Sequence, residues 1–232
     1  MAPRLPLVFF VLRLVLLGKP VASQEVPSFR TLGDVDRFTE TYYQHPRPEL
    51  IAGLIRALQS TGLTERPNAV PPYIGFFAEV FAANPARVPE WQALVANQKP
   101  STRRLLYRAL ALSRAGGVLT LDVHSGSLND MYWGAFVASG RTALLQRLVD
   151  QLRYFDERDD EGLFFTGATA KWSLASNAQS HPLVRATLEG ETLTADQRTR
   201  ALIAELLREG PGQVKQEIAG VVQQQREAGK WP

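Results

Sequence analysis

Asp122, His124, Ser125, Ser127 and Asp130 are the residue types of hydrolytic or metal chemistry, and they fall in one short stretch, DVHSGSLND. A hydroxyl, an imidazole and a carboxylate can share a proton during acyl transfer, and loops often carry such groups. Closeness in sequence does not make a triad, however, because a triad is recognised by geometry. No nucleophile elbow or metal-ligand spacing surrounds these residues, so the stretch is expected to be a solvated turn that caps the helix starting near Leu128. Asp122, His124 and Ser125 stand as the alternative, catalytic reading of the loop. His45 and His181 each precede a proline at a predicted helix boundary. Three scattered histidines make no zinc motif, so no metal and no cofactor are expected. The acids Asp156, Glu157, Asp159, Asp160 and Glu161 supply oxygens of the kind calcium takes, but without the alternating order of an EF-hand loop. A solvated turn between helices is the expected role.

A second set is Lys171, Trp172 and Asn177, with Ser173, inside GLFFTGATAKWSLASNAQSHPLV (162–184). Lys171 is the one formal charge in that stretch, and small residues separate bulky ones along it. Such a pattern predicts a helix apolar on nearly every side, buried at the centre of the domain, with small residues that admit close neighbours. Polar groups on it need partners, because an unsatisfied buried group costs roughly 1–3 kcal/mol. Asn177 is expected to cap the helix end and Trp172 to anchor the core. Lys171 is expected either to reach the surface along its stem or to pair with a carboxylate. The functional alternative has Lys171 and Trp172 lining a groove between helices that grips a ligand. The aromatic set Tyr42, Tyr43, Phe76, Phe77, Tyr132 and Trp133 suits either a peptide groove or, more simply, the core.

The elements that must position these residues are helical throughout. Val35, Phe38 and Tyr42 recur at helical spacing from Asp34 to a stop at His45-Pro46. Leu50, Ile51, Leu54, Ile55 and Leu58 form one face of a helix that opens at Pro48 and closes at Gly62. After a Pro-rich connection (66–72), helices are predicted over Tyr73–Ala83, around Trp91–Val95, and from a Ser101 cap to Gly116-Gly117. The segment 118–127 reads as an extended loop or short strand. Helices follow over Leu128–Ala138, Leu144–Leu152, the central segment, and from His181-Pro182. Another follows a capping box at Thr194 and Gln197, and the last comes after Gly210-Pro211-Gly212. Trp231 is expected to tuck its ring against the body of the domain.

Phe77, Phe81, Ala83 and Asn84 correspond to Tyr132, Phe136, Ala138 and Ser139, each set followed by a breaker and another helix. This reads as an αα-hairpin used twice. The fold class is therefore all-α, with antiparallel αα-hairpins packed as an α-solenoid-like (TPR-like) array or a compact helical bundle. The strings FFAEVFAANPARVPEW and GATAKWSLASNAQSHPLV resemble those of a family of all-helical, mostly uncharacterised exported bacterial proteins, with similar strings in plant sequences. The resemblance spans most of Val35–Trp231 and implies a helical fold; it carries no activity, cofactor or catalytic residue.

Composition bounds the rest. The chain has 232 residues, 45% of them apolar and 21% charged, enough for one full core. Arg4, the apolar run 5–18 and Val21-Ala22-Ser23 read as a signal peptide (1–23) cut before Gln24, although Arg13 interrupts the run. The expected order is a signal peptide, an extended segment (24–33) and a single helical domain (34–232), exported to the periplasm or beyond. The run is too short for an ordinary spanning helix, so no stable membrane span is expected unless the leader is retained. Arg4, Arg13 and Lys19 are three of the 26 basic residues, and without them 23 stand against 23 acids. That balance removes any argument for a nucleic-acid partner. With no cysteine, the domain holds together by packing alone. A non-enzymatic protein that binds a protein or peptide partner is the resulting expectation. A hydrolase or small-ligand enzyme using the Asp122–Asp130 loop and a purely structural envelope component are the alternatives, and the oligomeric state is open.

Overall fold

The pattern of apolar residues resolves into ten α-helices and no strand among the residues described, 29–232, of a computed structural model. The expected leader and its cleavage point lie outside the described residues. Helices α1 (Leu32–Glu40), α2 (Ile51–Ser60), α3 (Val70–Ala83), α4 (Val88–Ala96) and α5 (Pro100–Arg114) make the first half. Helices α6 (Gly126–Ser139), α7 (Thr142–Gln151), α8 (Glu161–Asn177), α9 (Pro182–Glu191) and α10 (Gln197–Glu227) make the second. One hydrophobic core runs through both, from Val35 to Trp231.

Helix starts follow local chemistry that the expectations placed a few residues off. Thr31 and Asp34 form a reciprocal capping box, so α1 opens at Leu32 rather than at Asp34. Of the prolines expected to keep 66–72 irregular, Pro71 and Pro72 instead sit in the first turn of α3, where a missing N–H costs nothing, and Pro67 opens a 3₁₀ turn before it. Ser101 is not a cap: α5 opens at Pro100, and the Ser101 hydroxyl meets Thr64 Oγ1 at 3.2 Å. Asp196, not Thr194, caps α10, its Oδ1 accepting from the Thr199 amide at 3.0 Å. The segment 118–127 contains no strand; Val118–Thr120 is a single 3₁₀ turn before an irregular link to α6.

The two related hairpins, α3–α4 and α6–α7, meet through their first helices. A Cβ on Gly134 would lie 1.7 Å from the Pro72 carbonyl oxygen, and one on Gly75 would lie 2.0 Å from that of Met131. Only hydrogen fits at either position, so α3 and α6 cross backbone to backbone. Helix α8 uses the same device: a Cβ at Gly167 would lie 2.2 Å from the Phe155 amide nitrogen in the 3₁₀ turn Leu152–Asp156.

Helix α8 is not buried all round. Phe164, Ala168, Ala170, Leu174 and Ala175 face the core, while Phe165 and Trp172 are 36% and 46% exposed on an outer ridge. Trp172 is thus a surface residue and not the core anchor its type suggested. Apolar composition alone could not separate the two, since large apolar residues also cover much of any protein surface. Trp231 does close onto α8, its ring 5.0 Å from that of Phe164.

Candidate functional site

Lys171 is fully buried on the inner face of α8 and explains how α10 is shaped. Its ammonium donates to Glu205 Oε2 at 3.1 Å and to Glu217 Oε2 at 2.5 Å, and lies 4.2 Å from the centre of the Phe155 ring. An unbroken helix would hold positions 205 and 217 about 18 Å apart, too far for one ammonium to bridge. Gly210, with φ 74° and ψ 177°, breaks the helical path between them, and Pro211 follows it. The two arms of α10 then bring their glutamates to the same cation. Glu209 joins them, the three carboxylates offering oxygens within 4.8 Å of one another. Oxygens so placed are of the kind a divalent cation takes, but here the Lys171 ammonium already pairs with two of the three. The cluster is an internal ion-pair node that ties α8 to both arms of α10.

Lys171, Trp172 and Asn177 are therefore not brought together. Lys171 points inward, Trp172 outward, and the Asn177 side chain donates to the Ser173 carbonyl at 2.7 Å. Glu205, Glu209 and Glu217 carry no signature of their own in the sequence. Their signal was a lone lysine in an uncharged helix, which demands acids elsewhere in the chain.

The Asp122–Asp130 loop divides in the same way. Ser125 Oγ accepts from the Leu128 amide at 3.2 Å, as the cap of α6. His124 Nδ1 lies 3.1 Å from Gln151 Oε1, with its ring 5.0 Å from that of Tyr154. Asp122 is exposed, and no hydrogen bond joins Asp122, His124 and Ser125 among the described residues. Asp130 is half-buried, and burial pushes its carboxyl up to about 6. The acidic turn before α8 is also engaged. Asp156 pairs with Arg198, Asp160 caps α8 through the Leu163 amide at 2.9 Å, and Asp159 meets Lys230 at 3.4 Å. His181 is buried against Tyr43, Trp133 and Phe136, and burial pulls its pKa below the ordinary value.

Two clefts open beside the α3–α6 crossing. The smaller, of about 150 Å³, is lined by Asp36, Glu40, Tyr73, Phe76, Trp133 and Val137, with Gly134 at the crossing itself. The larger, of about 590 Å³, is lined by Tyr42, Tyr43, Glu79, Asn84, Ser139 and Arg141, where the two hairpins turn. Glu79 is 7% exposed, and both of its carboxylate oxygens accept from one nitrogen of Arg141, at 3.3 and 3.2 Å. Tyr42 carries a buried hydroxyl with no partner, and burial raises it to about 12. The aromatic set divides between core and cleft walls. Phe77 and Tyr132 are core; Tyr42, Tyr43, Phe76 and Trp133 also wall the clefts.

Comparison with known proteins finds no matching family model, no matching curated protein and no matching solved structure.

Proposed function

We propose that the chain is an exported helical scaffold, a solenoid-like stack of αα-hairpins, that binds a protein or peptide partner on the face where α1, α3 and α6 meet. The observation that carries this reading is the pair of clefts on that face, both walled by α3 and α6 and bordered by α1 and the turn after it. Concave sites between helices, with few polar groups fixed among aromatic walls, are where helical folds place ligands. Arg141 is about half exposed at the mouth of the larger cleft while tied to buried Glu79, so it presents a guanidinium already held in place. Fixing a side chain before binding lowers the entropy lost on association. The reading moves the binding face away from Lys171 and Asn177, whose polar groups are engaged inside the domain. Export is supported by the leader pattern in residues 1–23.

The test places a photo-cross-linking residue at Ala83, exposed at the larger cleft, or at Leu193, 82% exposed and in neither cleft. A defined protein captured from envelope extract at Ala83 and not at Leu193 supports the reading. Identical capture from both positions, or none from either, contradicts it.

A further inference from the structure

The smaller cleft has a chemistry specific enough to name its ligand. Its floor is apolar and aromatic, with Phe76 and Val137 buried and the rings of Tyr73 and Trp133 on its walls. Its rim is anionic. Asp36 and Glu40 are four residues apart on α1, which sets both carboxylates on one side of the helix. The Tyr73 hydroxyl donates to Asp36 Oδ1 at 3.3 Å and ties the rim to the wall. Among the described residues neither acid has an ion-pair partner. Arg37, between them on the same helix, lies 3.7 Å from Asp34 instead. Burial, and then the neighbouring Asp36 charge, hold the Glu40 carboxyl above its ordinary value, as expected of like charges with no cation beside them.

We propose that this cleft binds a small organic ammonium ion, its apolar body on the Phe76–Val137 floor beside the Trp133 ring and its protonated nitrogen at the Asp36–Glu40 rim. Charge complementarity excludes anions, which the rim repels. A neutral apolar molecule would cover the floor and leave two carboxylates without a countercharge. A hard divalent cation would want six or so oxygen ligands and would make no use of the aromatic walls, whereas an ammonium is attracted to both the carboxylates and the ring faces. Size narrows the class further. A cleft of about 150 Å³ favours a short-chain amine or the stem of one lysine side chain over a bulkier cation. The proposal shares its face with the binding reading above and rests on that choice of face, but it does not require a macromolecular partner.

The experiment is a ¹⁵N NMR titration of the full chain, followed at the Trp133 indole and at the Thr39 and Gly134 amides. The probes are n-butylammonium, 1-butanol as its neutral counterpart, and a short peptide carrying lysine or norleucine at one position. Saturable shifts with butylammonium and at least ten-fold weaker binding of butanol are expected. Asp36→Asn/Glu40→Gln should weaken butylammonium at least ten-fold, while Asp122→Asn, an acid outside the cleft, should leave it unchanged. Sodium chloride should weaken binding, because the rim is exposed to screening. Binding of the lysine peptide over its norleucine analogue identifies the source as a protein side chain. Binding of free amine alone supports the ammonium site and identifies the source as a small molecule. The proposal is overturned if neither amine gives saturable shifts, if butanol matches butylammonium, or if the double variant keeps full affinity with its amide spectrum otherwise intact. A partner captured at Ala83 alongside a flat amine titration would sink this proposal and leave the binding reading standing.

Discussion

The Lys171 node and the Asp36–Glu40 rim are both groups of carboxylates on helices, yet they sit in opposite electrostatic situations. At the node, Glu205 and Glu217, with Glu209 beside them, meet a cation that the chain itself supplies from the core. At the rim, two carboxylates face an aromatic-walled cleft, and the described chain supplies no cation. The contrast separates structure from binding. Charges already matched inside the fold hold helices together, while charges left unmatched beside a cavity are available to something from outside.

The largest expected effect breaks the node. Lys171→Met should destabilise the domain by about 3 kcal/mol in urea denaturation, because it leaves Glu205 and Glu217 facing one another, beside Glu209, without their cation. Adding Glu205→Gln and Glu217→Gln should recover much of that loss. If the triple variant is no more stable than the single, the node is not an electrostatic device.

Next is the crossing that shapes both clefts. Gly134→Ala should cost about 2–3 kcal/mol, because the new methyl meets the Pro72 backbone and the helices must separate. The same measurement on Gly220→Ala, where a Cβ meets nothing within 4 Å, should show no loss.

A smaller effect depends on pH. The Asp130 carboxyl is raised from its ordinary 3.8 to about 6 by burial. Its contribution to stability is then full below about 3.8 and is lost as pH rises through about 6. Asp130→Asn should match the wild type near pH 4 and exceed it at pH 8 by about 1–2 kcal/mol, allowing for solvent screening. A constant difference across that range would show that Asp130 titrates normally.

The smallest effect sharpens the comparison. Asp36→Asn/Glu40→Gln should change stability by no more than about 0.5 kcal/mol, because both side chains are exposed and the Asn oxygen can still accept from the Tyr73 hydroxyl. A loss comparable to that of Lys171→Met would make the rim a structural element too.

Much of this fold is legible in the residues. The helix-breaking pairs Asn84-Pro85 and Ser139-Gly140 mark real helix ends, His181-Pro182 marks a real helix start, and Trp231 closes onto α8 as its size and position suggest. Caps were less legible, since Thr31, Ser101, Thr194 and Asp196 are all competent capping residues and tertiary packing chooses among them. The outward face of α8 was hidden because Trp172 and Phe165 are as apolar as the residues behind them. Neither the node nor the clefts could be read in order along the chain. Lys171 meets Glu205 and Glu217 only after Gly210 redirects α10, and Asp36 meets Tyr73 and Trp133 only after three helices converge.

The most direct test of the central contrast is a site-resolved ¹³C carboxyl NMR titration of Asp36, Glu40, Glu205 and Glu217, with and without saturating n-butylammonium. The account predicts that the amine lowers the apparent pKa of Asp36 and Glu40 and leaves Glu205 and Glu217 where they were. Unmoved rim acids, or equal shifts at all four, would contradict it.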